Sequence, residues 1–535
     1  MSPWPIIQEA YNLGVALSSA QVKGGLGGKT ALVWSNAAGQ ERVLTYAELD
    51  RQSSALAGSL RRLGIRKGDR VFLRLPIIPE FYIAAIAIAK LGAVFIPSST
   101  QFKQSEVEYR LRDSGAVATI TSTQLAEPVE RAAPACRDLR HIVIVPYPEP
   151  PTHWGEVFDF NELVRQESAT FIPETTRHDD LAFIAYTSGT TGDPKGVVHF
   201  QRYPLAYSKL IDTWHDYRAD DIVACPSDLG WMLPVACTFL FALSRGLTVV
   251  LYDPMGGKFE PSRWFELFER CRITNFTAPP TVYRMLLMEA ADATRRDLAS
   301  WRHGVAAGEP LPTDTLEGIR RQFGVTLFDG LGMSECMVYC HNRVGLPVRA
   351  GSCGQPSPGI DIGLLNEDLE PVTPGAEGVL CVRRAGHPGM MKEYWNKPAQ
   401  TTELFRGEWY YSGDVLTCDA DGYYWFKGRC DDVIKASGYR ISPFEIESCL
   451  LEHPAVQEAA AVESPDAIRG NVIKAFIVLR TGSVPGDDLA TDIRAFVQSR
   501  IASYKTPRKI QFVVSLPKTT SGKIKRRELR AREKE

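Results

Sequence analysis

The stretch Tyr186-Thr-Ser-Gly-Thr-Thr-Gly-Asp-Pro-Lys-Gly196 gathers three glycines, four Ser or Thr residues and a lysine between two apolar segments. Glycines allow backbone N–H groups to converge on a concavity, and hydroxyl groups add further donors. The composition therefore predicts an anion cradle with a mobile positive charge. The residues assigned to it are Thr187, Ser188, Gly189, Thr190, Thr191, Gly192 and Lys195.

The segments on either side of this loop, 181–186 and 197–200, are both rich in β-prone residues. We therefore expect strand, loop and strand. A Walker A loop would place Ser or Thr directly after its Gly-Lys pair and open a helix, whereas Gly196 and Val197 follow Lys195 here. The pattern argues against an ordinary P-loop NTPase. A flexible hairpin is the alternative, although such connections rarely gather so many donors and a lysine.

The length and composition predict a protein of several domains, large enough for an enzyme, whose partners are small molecules. A chain of 535 residues exceeds one core, and 61 Lys and Arg against 63 Asp and Glu argue against nucleic-acid or anionic-membrane partners. The eleven cysteines form no CxxC pair or zinc-ligand spacing, as expected of reduced thiols. No signal peptide or membrane span is evident, so we expect a cytoplasmic protein without stable membrane insertion.

Hydrophobic patterning predicts an α/β fold with mainly parallel strands in the large N-terminal part. A helix signal from Thr45 to about Leu63 is followed by a strand signal at 70–75, and this alternation recurs up to residue 278. From about residue 351 to 428 short strands between Gly and Pro turns predict a small β-rich subdomain. Residues 431–535 have their own alternation and are long enough for a small α+β domain. We therefore place the main boundary at 430/431.

Further motifs follow in order along the chain, and together they carry a family resemblance. With the opening loop, the set resembles the adenylate-forming superfamily, which contains acyl-CoA synthetases, adenylation domains and luciferases. The resemblance covers nearly the whole chain. The motifs are Gly308-Glu-Pro310, Asp329-Gly-Leu-Gly-Met-Ser-Glu335, Trp409-Tyr-Tyr-Ser-Gly-Asp414, the segment from Lys427 to Ile441, and Pro517-Lys-Thr-Thr-Ser-Gly-Lys-Ile524.

The resemblance implies that a carboxylic acid is joined to AMP with release of pyrophosphate. The glycine loop would hold the β- and γ-phosphates of ATP, Glu335 would associate with Mg²⁺, and Ser334 would face the α-phosphate. Asp414 would accept both ribose hydroxyls with Arg429 as its partner. The residues that would line adenine are Gly308, Glu309, Pro310, Asp329, Gly330, Leu331, Gly332 and Met333, with Leu331 where many relatives have an aromatic residue.

The resemblance also implies a second step in which coenzyme A accepts the acyl group. Lys523 would contact the substrate carboxylate and the α-phosphate during adenylation, because a lysine can stabilise the charge that builds there. The C-terminal domain would then rotate about a hinge at Asp431. Gly438, with Tyr439 and Arg440, would border the path of coenzyme A. Taken alone, Lys523 could equally belong to a solvated basic tail.

The identity of the acid is left open by the sequence. Acetyl-CoA synthetases resemble this chain at 227–231 but place tryptophan at the position of Gly332, so we predict a pocket for an acid larger than propionate, with Trp231 as a wall. Medium-chain, aromatic and alicyclic acids all fit. Two rivals to the acid:CoA ligase are an enzyme that loads a carrier protein and a nucleotide-binding sensor without activity.

Overall fold

The computed structural model describes residues 7–149, 157–165, 171–187, 193–384, 387–430, 432, 434–436, 439–441, 443–466, 470–501, 505–519, 522 and 524–533. These residues fold as two compact units. The first unit comprises the described residues of Met1–Thr187, Pro194–Asp361 and Arg384–Glu408, and the second those of Ser188–Asp193, Ile362–Arg383 and Trp409–Glu535.

The larger sheet of the first unit has nine strands within the described part of the chain. Its centre is parallel and its edge strands pair in antiparallel fashion. Such a sheet is buried on both faces and needs continuous apolar strands, which this chain supplies. In spatial order the strands are Gln355–Pro356, Cys336–His341, Leu327–Met333, His303–Ala307, Asn275–Ala278, Ile222–Ala224, Thr248–Asp253, Thr30–Asn36 and Glu41–Thr45.

A second sheet of the first unit has seven strands in the described residues and carries the strands of the glycine loop at one edge. All its pairs are parallel except the last, where the chain turns back on itself through that loop. In spatial order the strands are Phe158–Asp159, His141–Val145, Ala118–Ser122, Arg70–Arg74, Val94–Pro97, Leu181–Thr187 and Lys195–Phe200.

The helices of the first unit connect and cover these sheets. Thr45 begins the helix Tyr46–Arg62 with a capping box, in which its hydroxyl accepts from the N–H of Glu48 while the Glu48 carboxylate accepts from the N–H of Thr45. The helix Pro79–Lys90 is buried on every side. The α-helices are Tyr46–Arg62, Pro79–Lys90, Gln104–Ser114, Ala126–Ala132, Phe160–Arg165, Tyr203–Ala206, Ser208–Leu210, Met232–Pro234, Pro261–Cys271, Pro280–Met288, Ala290–Ala293, Thr313–Phe323 and Pro398–Leu404, with π-helical segments at Val15–Ser19, Val22–Leu26, Ile211–His215 and Val235–Ala242.

The second unit contains smaller sheets and helices around cores of its own. Ile362–Leu365, Gly378–Arg383, Trp409–Cys418 and Tyr424–Arg429 form an antiparallel sheet. Ile434–Ala436 pairs with Tyr439–Ile441, and a further sheet orders Val456–Asp466, Gly470–Leu479 and Lys509–Phe512. The helices of this unit are Pro443–Leu451, Asp487–Arg500 and Arg526–Arg532.

The predicted fold class is confirmed, with parallel sheets in a large N-terminal part and a smaller C-terminal part. The domain boundary at 430/431 stays a prediction. The motif that begins at Asp329 lies largely within a strand, Leu327–Met333. Among the described residues, none of the helices combines the length and the hydrophobicity that a membrane span requires.

Burial keeps a group of histidines neutral in the folded state. Loss of hydration lowers the pKa of His199, His303 and His387 from 6.5 to about 4 and the pKa of His341 to about 3, and it also lowers the pKa of His215 well below its usual value. In the unfolded chain these imidazoles would take up protons below about pH 6.5. Their neutral burial therefore stabilises the fold fully above that pH and less as the pH falls toward 4.

We expect the urea midpoint to fall steeply between pH 6.5 and 5, before most carboxylates titrate. The midpoint is measured by urea titrations at half-unit pH intervals. The slope of the unfolding free energy against urea concentration should stay constant across the series. A midpoint that is flat from pH 7 to 5 would contradict neutral burial of these side chains.

Candidate active site

The glycine loop joins two antiparallel strands, as the sequence predicts. Leu181–Thr187 pairs with Lys195–Phe200, and Thr187 lies opposite Lys195 at the two ends of the loop. This register brings the lysine next to the first hydroxyl of the loop. The remaining assigned residues lie outside the described part of the chain: Ser188, Gly189, Thr190, Thr191 and Gly192.

Both ends of the loop are tied to the helix Gln104–Ser114. The Tyr186 hydroxyl donates to Asp113 Oδ2 at 2.6 Å, and the Tyr109 hydroxyl donates to the carbonyl of Pro194 at 2.9 Å. These bonds fix where the loop leaves and re-enters the sheet.

The predicted metal carboxylate, Glu335, lies in a tight turn between two antiparallel strands of the nine-stranded sheet. His199, from the strand that follows the glycine loop, donates from Nε2 to the carbonyl of Ser334 at 2.8 Å. The N–H of Met391 donates to the carbonyl of Glu335 at 2.9 Å. The turn is therefore fixed from two sides, and one of them is the strand that carries Lys195.

Tyr394 connects the glycine loop to this turn. Its hydroxyl donates to Glu335 Oε1, and the Nζ of Lys195 lies 5.0 Å from the centre of its ring, within cation–π range. Its backbone pairs with Val197. Lys195 and Glu335, which the sequence assigns to the same nucleotide ligand, therefore both contact the side chain of Tyr394.

Sequence reasoning missed Tyr394 and His199. No spacing in the sequence relates Tyr394 to a strand so much earlier in the chain. His199 could have been found, because it is a histidine in an otherwise apolar strand directly after the loop.

The geometry of Glu335 fits a divalent cation. The residue is 6% exposed, its Oε1 accepts from Tyr394, and no described residue bonds its Oε2. The described part of the chain contains no cluster of three or more His, Cys, Asp or Glu that could hold a metal. Mg²⁺ commonly binds through one or two carboxylates together with substrate phosphates, so a single buried carboxylate suits it.

The two segments predicted to line adenine, 308–310 and 329–333, lie side by side. Ala307 is opposite Gly330 in parallel strands, so Gly308 follows directly beside the second segment. Gly308 has a φ of 94°, a conformation that favours glycine. Glu309 is fixed in place, because its Oε2 accepts from the hydroxyl of Thr281 at 2.9 Å.

Asp329 is a buried carboxyl whose pKa is raised to about 8 by loss of hydration. Its Oδ1 has no partner among the described residues, while its backbone carbonyl accepts from the N–H of Asn342 at 2.8 Å. A buried, unpartnered carboxyl oxygen in the predicted nucleotide segment can accept from a ligand N–H or, when protonated, donate to a ligand acceptor.

The glycines of this segment are required by close packing. A Cβ on Gly330 would lie 2.5 Å from the Trp214 ring, and one on Gly332 would collide with the backbone carbonyl of Met337. Replacing Gly332 by tryptophan would therefore displace the neighbouring strand as well as add a side chain. The assignment of Gly332 to the acyl pocket stays a prediction, and that substitution is not a clean test of it.

Trp231 belongs to a turn fixed against the end of a strand in the smaller sheet. Asp228 Oδ2 accepts from the N–H and the hydroxyl of Thr100 at 2.9 and 2.6 Å. The Trp231 ring packs edge-on against Phe102 with 5.9 Å between ring centres. This contact holds the indole in one orientation, and its role as a pocket wall stays a prediction.

In the second unit, the predicted ribose residues form an ion pair. Asp414 and Arg429 are opposite each other in antiparallel strands, and Arg429 Nη1 donates to Asp414 Oδ1 at 3.0 Å. Asp414 is 4% exposed, and its N–H donates to the hydroxyl of Ser412. The structure shows this pair, while the contact of both residues with ribose stays a prediction.

The predicted hinge, lysine and coenzyme A residues are only partly described. Asp431, Gly438 and Lys523 lie outside the described residues. Tyr439 and Arg440 are described as backbone of the strand Tyr439–Ile441.

Known proteins resemble this chain over almost its full length. The model of the AMP-binding enzyme family matches residues 20–395, and that of the AMP-binding enzyme C-terminal domain matches residues 445–523. A mitochondrial acyl-coenzyme A synthetase of Mus musculus is 37% identical over 94% of this chain and 86% of its own.

Two solved structures have the same fold. An anthranilate CoA ligase in complex with anthranoyl-AMP aligns with a TM-score of 0.88 and 31% identity over 98% of both chains. A benzoate CoA ligase from Burkholderia xenovorans aligns with a TM-score of 0.84 and 30% identity over 97% of this chain and 100% of its own.

Lys195, at the edge of a mainly parallel sheet, and the buried carboxylate of Glu335 both contact Tyr394, an arrangement compatible with binding a nucleotide and its metal ion. The chain belongs to the AMP-binding enzyme family. The predicted class, an AMP-forming acid–CoA ligase, is confirmed, as is the resemblance to acyl-CoA synthetases and benzoate-type ligases.

We expect Tyr394→Phe to lower acid-dependent pyrophosphate release by about 10- to 100-fold, since a hydrogen bond to a charged group contributes roughly 1.5–3 kcal/mol. The phenyl ring keeps the packing against Lys195 and removes the donor to Glu335. Pyrophosphate release measured across a Mg²⁺ series should show a raised Mg²⁺ requirement.

Tyr46→Phe is the matched control, because this buried hydroxyl donates to the carbonyl of Leu247. If Tyr394→Phe retained wild-type activity and Mg²⁺ dependence, the hydroxyl would have no part in orienting Glu335.

Proposed function

We propose that this protein is an ATP-dependent, AMP-forming carboxylic acid:CoA ligase that acts in two steps on an acid larger than propionate. In the first step a carboxylate oxygen attacks the α-phosphorus of ATP and pyrophosphate leaves. In the second step the thiol of coenzyme A attacks the acyl carbonyl and AMP leaves. The observation that carries the proposal is the contact of Lys195 and Glu335 with the same tyrosine.

The glycine loop and Lys195 would hold the β- and γ-phosphates. Backbone N–H groups and an ammonium group supply donors and charge for the departing pyrophosphate. Glu335 would hold Mg²⁺, which when bound neutralises phosphate charge. Ser334 would face the α-phosphate, with its backbone fixed by His199.

The nucleoside would be held by backbone and carboxyl groups. The segments 308–310 and 329–333 would border adenine, and the carboxylate of Asp414 would accept from both ribose hydroxyls. Arg429 holds that carboxylate in place through their 3.0 Å bond. Leu331 offers only apolar contact to the base.

Lys523 would supply the charge that stabilises the reacting carboxylate and α-phosphate during adenylation. The domain 431–535 would then rotate about Asp431, so that the strand with Tyr439 and Arg440 and the glycine before it approach coenzyme A. This rotation would remove Lys523 from the reacting atoms before the thiol arrives.

Support for the larger acid comes from two sources. Gly332 brings no side chain to the nucleotide segment. The anthranilate and benzoate CoA ligases, whose names contain aromatic acids, are 31% and 30% identical to this chain. An apolar pocket separates homologous acids by only about 1–3 kcal/mol per methylene, so several acids should react. Medium-chain, aromatic and alicyclic acids are the candidates.

A pyrophosphate-release screen tests the proposal directly. Acetate, propionate, hexanoate, octanoate, cyclohexanecarboxylate, benzoate and anthranilate are compared in kcat/KM with ATP and coenzyme A. We expect the highest values among the acids of six carbons or more. A preference for acetate would contradict the acid assignment. If the acyl group were transferred only to a phosphopantetheinylated carrier protein, that protein and not coenzyme A would be the acceptor. Absence of acid-dependent pyrophosphate release throughout would contradict the proposal itself.

We expect Lys523→Ala to abolish acyl-AMP formation and to leave thioester formation from supplied acyl-AMP largely intact. The lysine is needed only while charge builds at the α-phosphate. Both half-reactions are followed separately, by pyrophosphate release and by loss of free thiol. Lys525→Ala, an exposed lysine two residues further along, is the control. Equal loss of both half-reactions in Lys523→Ala would show that the assigned role is wrong.

A further inference from the structure

The last helix of the chain, Arg526–Arg532, reaches back to the residue that follows the proposed hinge. Arg526 Nη1 donates to Asp432 Oδ2 at 3.1 Å, and Arg530 Nη2 donates to the backbone carbonyl of Asp432 at 2.8 Å. Asp432 is therefore held by its carboxylate and by its backbone, through arginines one helical turn apart.

Arg526 also forms a two-pronged pair with a helix of the same unit. Its Nε donates to Glu447 Oε1 at 3.0 Å and its Nη2 donates to Oε2 at 2.5 Å. Glu447 Oε1 additionally accepts from the N–H of Ala461 at 2.8 Å. The Arg526 and Glu447 side chains are 18% and 7% exposed, so this pair is shielded from water and fixed in geometry.

The turn that precedes this helix is closed by its own backbone. The N–H of Lys525 donates to the carbonyl of Pro517 at 2.9 Å, and Lys518 pairs with Ile524. Ile524 packs on a small core that includes Leu529 of the helix. The residues on either side of position 523 therefore have a fixed relation to Arg526.

Asp432 is also bonded toward the nucleotide residues of this unit. Its N–H donates to the carbonyl of Arg429 at 3.1 Å, and Arg429 pairs with Asp414. A continuous series of polar contacts thus runs from Asp414 past the proposed hinge to the helix that follows the lysine turn.

We propose that Arg526 is a positioning residue for adenylation, which locks the lysine turn to the chain immediately after the hinge through Asp432 and Glu447. The proposal rests on the proposed function, in which Lys523 serves the first step and Asp431 is the hinge. Rotation at the hinge is then transmitted to the lysine turn as a rigid movement. Without these ion pairs, the position of the lysine turn after rotation at the hinge is less well defined. A misplacement of about 1 Å is enough to lower the rate about 100-fold.

Separate measurement of the two half-reactions tests this proposal. The variants are Arg526→Ala, Arg526→Lys and Asp432→Asn. Arg532→Ala is the control, because Arg532 pairs with Glu528 at 2.8 Å on the same helix with both side chains about half exposed. Acyl-AMP formation is followed by pyrophosphate release, thioester formation from supplied acyl-AMP by thiol loss, and folding by thermal unfolding.

We expect Arg526→Ala to lower kcat for acyl-AMP formation about 10- to 100-fold with a much smaller effect on thioester formation. Arg526→Lys should retain only part of the acyl-AMP-forming activity, since one ammonium group cannot replace both hydrogen bonds to Glu447 together with the bond to Asp432. Asp432→Asn, a milder change, should shift the ratio of the two half-reactions in the same direction and keeps the test available if Arg526→Ala does not fold.

Equal loss of both half-reactions, wild-type ratios in Arg526→Ala and Asp432→Asn, or the same ratio shift in Arg532→Ala would each overturn the proposal. These outcomes are distinct from failure of the proposed function, which would show as absence of acid-dependent pyrophosphate release in the unaltered protein.

Discussion

The arrangement of the candidate site depends on the turn at Ser334 and Glu335, whose backbone and carboxylate are held by three hydrogen bonds. His199 and Met391 fix the two carbonyls, and the Tyr394 hydroxyl fixes Oε1. Because His199 and Lys195 belong to one strand, that strand both carries the lysine and bonds the turn that holds the predicted metal carboxylate. Such preorganisation lets charged groups stabilise a reaction without reorganising as charge develops.

Close backbone approach is the second constraint on this site. The glycines of the nucleotide segment bring its strand against Trp214 on one side and against the neighbouring strand on the other. A motif that looks in sequence like a flexible loop is therefore a tightly packed strand. Its glycines are required because a Cβ would collide with the neighbouring groups. The space beside them for the acid or for adenine depends on this close packing.

The sequence predicts elements whose cause is local. The capping residue Thr45 and its partner Glu48 lie three residues apart, so the start of the helix Tyr46–Arg62 is readable from the chain. The strands on either side of the glycine loop are equally evident from their apolar residues. Contacts between distant segments are not readable in this way, which is why Tyr394 and the ion pairs of Arg526 emerge only from the structure. Asp329 is a third case, because its raised pKa comes from burial that the motif alone does not reveal.

We infer that Lys195 of the glycine loop and the carboxylate of Glu335 act on one ligand, since both contact Tyr394. The most direct measurement is a crystal structure of the unaltered protein with ATP and Mg²⁺. We expect the β- and γ-phosphates at the glycine loop, the metal ion coordinated by Glu335, and the Tyr394 hydroxyl still bonded to the same carboxylate. A bound nucleotide whose phosphates avoid the loop, or a metal ion held without Glu335, would contradict it.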